Sequence, residues 1–242
     1  MSKFIDLKLL TCMLVAVVAA LILLLSLKTH EGFVAADFLP IHIVSLPSRK
    51  AQRLDPLLAR IRPSPSYGVR SVVGVDGKKD VVETFLNKGQ IGCWLSHAKI
   101  WRQIEKQTED YALVLEDDAL VSLPEMLDEI RAIVHEMPRD WSVCYLGGVY
   151  KDPSSAFRVS PHLFRSATSV IWHSHAYLLT REAAKRLLEM SITFNASFSK
   201  QKFQKVVPLD DWMTNPDRSL QVFLVSPNLV PFARDEISDT LQ

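Results

Sequence analysis

From Tyr111 to Asp118 the chain reads Tyr-Ala-Leu-Val-Leu-Glu-Asp-Asp, an apolar run that stops abruptly in three carboxylates. Apolar at consecutive positions after its first residues, Tyr111 to Leu115 reads as a strand buried on both faces of a sheet. The triplet that follows repels itself and is costly unless solvent, a cation or basic groups offset it. In α/β folds, ligands collect in the crevice outside the carboxyl ends of such strands, and hard oxygen donors suit Mg²⁺ or Mn²⁺. Such ions take one or two protein carboxylates and complete their shell with water and ligand phosphates. The pattern therefore suits a cation bridging to a nucleotide diphosphate, with a solvated turn capping a following helix as the alternative.

The same alternation of elements recurs along the chain. Ile41 to Leu46 is a short β-rich run, followed by Leu54, Leu57, Leu58 and Ile61 at helical spacing. Val69 to Val75 reads as a strand ending at Asp76-Gly77, and Ile91, Leu95, Ala98, Trp101 and Ile104 mark one face of a helix. Pro124 suits a first helical turn, with Leu127, Ile130, Val134 and Met137 continuing the period. Val143 to Leu146 is a strand closed by Gly147-Gly148, and Tyr150 to Thr168, without sustained period, is expected to be a long loop. His175 to Leu179 is a further strand, Thr180 caps a helix carrying Ala183, Ala184, Leu187 and Leu188, and Val222 to Val225 is a late strand. Strands alternating with helices imply a layered α/β fold with a mostly parallel sheet.

A chain of 242 residues, 48% hydrophobic and 23% charged, buries a full core and has the usual size of one domain. Its net charge of +1, without a long run of either sign, gives no electrostatic footprint for nucleic acid. Leu9 to Leu27 carries no charge between Lys8 and Lys28. At ~1.5 Å per residue this run crosses a hydrocarbon core of ~30 Å, so a transmembrane anchor is expected over residues 9–27. A secretory signal peptide is the alternative, because Val34-Ala35-Ala36 fits a small-residue cleavage site, although such peptides have apolar cores of only ~7–15 residues. The plan is thus a short cytosolic tail over 1–8, the anchor, a stem over 28–39 and a translocated domain over 40–242. Of three cysteines, Cys12 lies in the apolar run; Cys93 and Cys144 sit in apolar surroundings and read as buried free thiols. Asn195-Ala196-Ser197 fits a glycosylation acceptor, usable if this region faces a secretory lumen.

Further blocks appear in order: Val75-Asp76-Gly77, Gly89-Gln90-Ile91-Gly92-Cys93-Trp94-Leu95-Ser96-His97, Leu115-Glu116-Asp117-Asp118, Tyr145-Leu146-Gly147-Gly148, His175-Ala176-Tyr177-Leu178-Leu179 and Pro208-Leu209-Asp210-Asp211. With these the chain resembles glycosyltransferase family 25, the lipooligosaccharide and procollagen galactosyltransferases, from Ile43 to about Thr214. Ser45-Leu46-Pro47-Ser48-Arg49 departs from the Asn-Leu-x-x-Arg opening common in the family. The resemblance implies a Rossmann-like, nucleotide-sugar-binding A-type glycosyltransferase fold. It further implies transfer of a sugar, galactose foremost, from a UDP-sugar donor to a hydroxyl on a glycan, glycolipid or glycoprotein acceptor, metal-assisted and inverting. With the anchor, it points to a single-pass type II membrane protein of the Golgi or endoplasmic reticulum lumen in a eukaryote, or of the cell envelope in a bacterium.

Glu116 and Asp118 flank Asp117 in the acidic-x-acidic spacing typical of such enzymes, so the resemblance implies that they hold Mn²⁺ or Mg²⁺, with Asp117 beside the donor. Arg49 and Arg53, after the first strand, suit the diphosphate, a solvated helix face being the alternative. Asp76 touches the nucleotide or simply forms its turn. Ser96 and His97 contact the donor or anchor a loop, since adjacent Ser and His cannot form a nucleophile-base dyad. His175 faces the site or packs within its strand. Inversion needs a base opposite the leaving group; Asp210 and Asp211 are the candidates, Asp211 foremost, with a helix N-terminus as the plain alternative. A non-catalytic sugar- or nucleotide-sugar-binding relative of the same fold is the competing function. A two-metal phosphatase would need further His and Asp ligands that the sequence lacks.

Overall fold

The computed structural model describes residues 37–80, 86–166, 168–196, 207–215 and 219–231. The expected anchor, tail and most of the stem lie outside them. Among the described residues, no helix is long and apolar enough to cross a membrane.

An eight-stranded sheet forms the middle layer, in the order β2-β1-β3-β9-β4-β10-β7-β6. Three neighbouring strands, β1 (Leu39–Ser45), β2 (Tyr67–Val73) and β3 (Tyr111–Glu116), run parallel. Their ends are level, with Ser45 opposite Val73 and Val44 opposite Glu116. Beyond β3 the sheet is mixed rather than mostly parallel: β9 (Ala176–Thr180) is antiparallel to both β3 and β4 (Val143–Tyr145). The reason is the route between β4 and β9. Among the described residues no helix carries the chain to the opposite end of the sheet, so β9 starts where β4 stops, Tyr177 facing Tyr145, and must run back. A late strand, β10 (Val222–Val225), returns parallel to β4.

That route also corrects the expected loop. It contains β5 (Val149–Tyr150), β6 (Ala156–Arg158), β7 (Leu163–Ser166) and β8 (Ile171–Trp172). β6 and β7 form a hairpin that joins the sheet through β10, and β5 and β8 form a separate two-stranded ribbon. Strands of two to four residues are too short to show a period.

Helices cover both faces. One face carries α1 (Asp55–Arg60) and α4 (Leu127–Glu136), with Leu57, Ile130 and Val134 packed on Ile41, Ile43, Leu113 and Leu115. The other carries α3 (Lys88–Glu105) and α5 (Arg181–Ala196), with Trp94, Trp101, Ala184 and Leu187 packed on Val44, Ala112 and Val114. Successive residues of β3 thus enter opposite cores, which is why the whole run is apolar. Pro124 precedes α4 in a turn instead of opening it; the helix starts at Leu127. Two short helices remain, α2 (Gly77–Asp80) and α6 (Leu209–Met213).

α3 begins in a reciprocal cap: Gln90 N–H donates to Asn87 Oδ1 at 2.8 Å and Asn87 N–H to Gln90 Oε1 at 3.1 Å. It lies hard against the turn after β2. A Cβ on Gly92 would come within 2.6 Å of the Val75 carbonyl oxygen, and one on Gly77 within 1.6 Å of that of Lys88. Thr180 caps α5 as expected, accepting from Ala183 N–H at 3.2 Å. Cys93 and Cys144 are free thiols. Asn195 falls at the end of α5, and Ser197, completing the acceptor tripeptide, lies outside the described residues.

Candidate active site

The segments leaving the carboxyl ends of β1, β2 and β3 enclose a cleft of about 360 Å³ with the start of α3 as a further wall. Eight of the residues singled out from the sequence line it: Arg49, Arg53, Asp76, Ser96, His97, Glu116, Asp117 and Asp118. Lys78, exposed beside Asp76, also faces it and was not singled out.

Each carboxylate of the triplet has a different environment. Glu116, 27% exposed, accepts a hydrogen bond on Oε1 from Ser174 Oγ at 2.7 Å, and the same oxygen is 3.3 Å from His97 Nε2. Burial alone would raise its pKa, but His97 beside it and the hydrogen bond from Ser174 outweigh it and hold the carboxyl at about 2. Asp117 is buried with Arg53, its Oδ1 3.6 Å from Nη1. Burial pushes its pKa up, offset in part by Ser45 and Arg53. Burial, then the charges of Glu116 and Asp117, push Asp118 up to about 7, and its buried Oδ1 has no hydrogen-bond partner.

An orphaned buried carboxylate oxygen beside a second, firmly ionised carboxylate is a good fit to a hard divalent cation. Glu116 and Asp118 are the residues that would hold it. Arg53 neutralises Asp117 and so leaves that residue as a neighbour rather than a ligand.

Other residues resolve into supports. Ser96 Oγ donates to the Gly92 carbonyl at 2.6 Å and accepts from Val75 N–H at 2.8 Å, so it anchors the turn after β2 to α3. Asp76 accepts from Lys78 N–H at 3.0 Å and shapes that turn while lining the cleft. His97 is 1% exposed beneath Glu116, its Nδ1 2.8 Å from Tyr177 Oη. His175 is outside the cleft lining: its Nε2 is 2.8 Å from the Val230 carbonyl, and burial lowers its pKa.

Asp210 and Asp211, in the first turn of α6, are also outside the cleft lining. Asp211 Oδ1 accepts from Trp172 Nε1 at 3.0 Å, and Asp210 Oδ2 accepts from His173 N–H at 3.2 Å. Burial raises the Asp210 pKa. These bonds brace residues 172–174, and Ser174 in turn donates to Glu116, so the pair is connected to the acidic triplet through one short segment. His173 holds a left-handed backbone, φ 76°, at its centre. Tyr177 was visible only as a member of a sequence block and Ser174 was not singled out; their roles depend on the direction of β9.

Three parallel strands opening on an acidic, arginine-edged cleft define an α/β protein with its cleft where such folds collect their ligands. The family described as "Glycosyltransferase family 25 (LPS biosynthesis protein)" matches residues 75–213, more than half of the chain. The chain belongs to glycosyltransferase family 25. It is 28% identical over 156 residues to "Procollagen galactosyltransferase 1" of Danio rerio, covering 60% of this chain and 25% of that protein. It is 27% identical over 136 residues to "Probable inactive glycosyltransferase 25 family member 3" of Bos taurus, covering 53% and 20%. The chain thus spans at most about a quarter of the relatives it matches here. A solved structure titled as mannose-1-phosphate geranyltransferase of Thermus thermophilus superposes with a TM-score of 0.43 at 10% identity, covering 82% of this chain and 76% of that one.

Proposed function

We propose that the protein is a glycosyltransferase that moves a hexosyl group, galactose foremost, from a UDP-sugar to a hydroxyl of a glycan, glycolipid or protein, with inversion. The observation carrying this reading is the gathering of Glu116, Asp117, Asp118, Arg49 and Arg53 in one cleft at the carboxyl ends of three parallel strands. Galactose rests on family membership and on the names of the procollagen galactosyltransferase relatives.

In this mechanism the donor's diphosphate lies in the cleft with Arg49 and Arg53 toward its charge. Ser174 and His97 keep the Glu116 carboxylate ionised and oriented. Glu116 and Asp118 would hold Mn²⁺ or Mg²⁺, which when bound neutralises charge developing on the leaving diphosphate. The acceptor enters from the side of β8 and α6, where Asp211 takes the hydroxyl proton and Asp210 holds the adjoining backbone. Residues 9–27 anchor the domain in the membrane with its catalytic part translocated, into the Golgi or endoplasmic reticulum lumen or the cell envelope.

A binding protein without transfer is the second reading, and the relative named as probably inactive keeps it in play. Release of UDP from a panel of UDP-sugars, in the presence of acceptor sugars and Mn²⁺, separates the two. Turnover supports the enzyme; donor binding by a folded chain without turnover assigns it to the binding class.

A further inference from the structure

The cleft contains a second group of potential ligands with different chemistry from the oxygen-rich pair. Cys93 and His97 stand one helical turn apart on α3, and Glu116 closes the end of β3. One ligand atom from each lies within 4.8 Å of the others. His97 is buried, 1% exposed, and its Nε2 has no hydrogen-bond partner although it lies 3.3 Å from Glu116 Oε1. A buried ring nitrogen in that position is costly unless something else takes its lone pair.

The opposite side of the ring is prepared for that event. Nδ1 is 2.8 Å from Tyr177 Oη, which also accepts from Trp101 Nε1 at 3.0 Å. In the Nδ1–H tautomer that proton has an oxygen to donate to, and Nε2 is free to ligate. Ligating histidines are commonly fixed in this way by a partner on the other nitrogen.

We propose that Cys93 Sγ, His97 Nε2 and the Glu116 carboxylate form a site for a thiophilic divalent cation of the zinc class. Three protein ligands around a four-coordinate ion leave one position for water. A thiolate selects such an ion over Mg²⁺ or Mn²⁺, which prefer all-oxygen surroundings. On binding, the Cys93 thiol gives its proton to solvent, His97 coordinates as neutral imidazole and Glu116 as carboxylate. Two negative ligands then balance the dication, and no electron changes hands. Since Glu116 is shared, an ion here takes it from the donor site and blocks transfer. That consequence alone rests on the proposed glycosyltransferase activity.

Cobalt(II) serves as the optical probe. Added to the reduced full-length chain, it is expected to give a thiolate-to-cobalt charge-transfer band in the near ultraviolet and the strong visible absorption of tetrahedral cobalt, both displaced by Zn²⁺. The band should vanish in Cys93→Ser, and in Cys93→Ala should the serine variant fail to fold, and weaken in His97→Gln. No band in the wild type overturns the proposal. So does a band that survives without Cys93, which would belong to Cys12 or Cys144. Independently, Zn²⁺ should inhibit transfer by the wild type and spare whatever activity Cys93→Ser retains. If the chain transfers no sugar at all, the optical result still decides the site.

Discussion

Asp118 holds a carboxyl near 7 and an orphaned oxygen because burial and two neighbouring carboxylates act on it together. Asp118→Asn keeps the shape and removes the charge. Metal-dependent donor affinity and turnover should then fall by roughly 10²-fold or more, while the melting free energy changes by less than ~1 kcal/mol. Titration calorimetry with UDP and Mn²⁺, alongside thermal unfolding, checks both halves; a variant that keeps full activity removes Asp118 from the ligand set. For Asp211→Asn, loss of the base should lower kcat by roughly 10²–10⁴-fold and leave donor KM nearly unchanged. A large rise in donor KM would instead make Asp211 a structural brace for Trp172. Buried histidines add their own pH dependence to stability. His42 is fully buried between Gln103 and Gln107, and burial lowers its pKa below the ordinary 6.5; His175 shifts the same way. The unfolded chain binds these protons more readily, so their stabilisation is complete above about pH 6.5 and is lost as pH falls through the depressed values. Asp118, raised to about 7, contributes the opposite slope over the same range, so the His42 part is read as a difference: the stability gap in thermal unfolding between the wild type and His42→Gln should narrow as pH falls from 7.5 toward 5.5. That Arg49, Arg53, Asp76 and the acidic triplet gather at one cleft was legible because each follows the end of a strand; that His175, Asp210 and Asp211 fall outside its lining was not. For Ser96 and His97 the sequence left donor contact and loop anchoring open, since adjacency on a helix does not say which residue points at the sheet.

Among the elements, α3 links sequence to site most directly. Its cap fixes where the helix starts, Gly92 within it and Gly77 facing it allow the close approach, and Ser96 ties the turn after β2 to it. Asn87→Ala should cost ~1 kcal/mol in thermal unfolding, the usual worth of a helix cap, without changing the donor's KM. Gly92→Ala pushes a methyl into the Val75 carbonyl and should cost ~1–3 kcal/mol while raising donor KM, because that turn carries Asp76 and Lys78. Equal effects of the two substitutions on KM would contradict this coupling. β1 and β3 were readable because their consecutive residues fill two cores. The segment from Tyr150 to Thr168 was not, because its strands β6 and β7 are three and four residues long and leave Phe157 exposed. The direction of β9 was equally hidden, for an apolar run has the same pattern read either way, and only the missing crossover decides it.

For the molecule as a whole, family membership and a cleft placed by three parallel strands agree, while the relatives are at least about four times longer than the part they share with this chain. Residues 9–27 should hold the full-length protein in the membrane fraction through alkaline carbonate washing, and recovery in the soluble fraction would remove the proposed anchor. The decisive assay is UDP release by the full-length chain from UDP-galactose and other UDP-sugars, with acceptor sugars present, before and after removal of divalent ions by a chelator. Release that chelation abolishes, Mn²⁺ restores and Asp118→Asn suppresses is the predicted result. A folded chain that releases no UDP from any donor, with or without Mn²⁺, would contradict it.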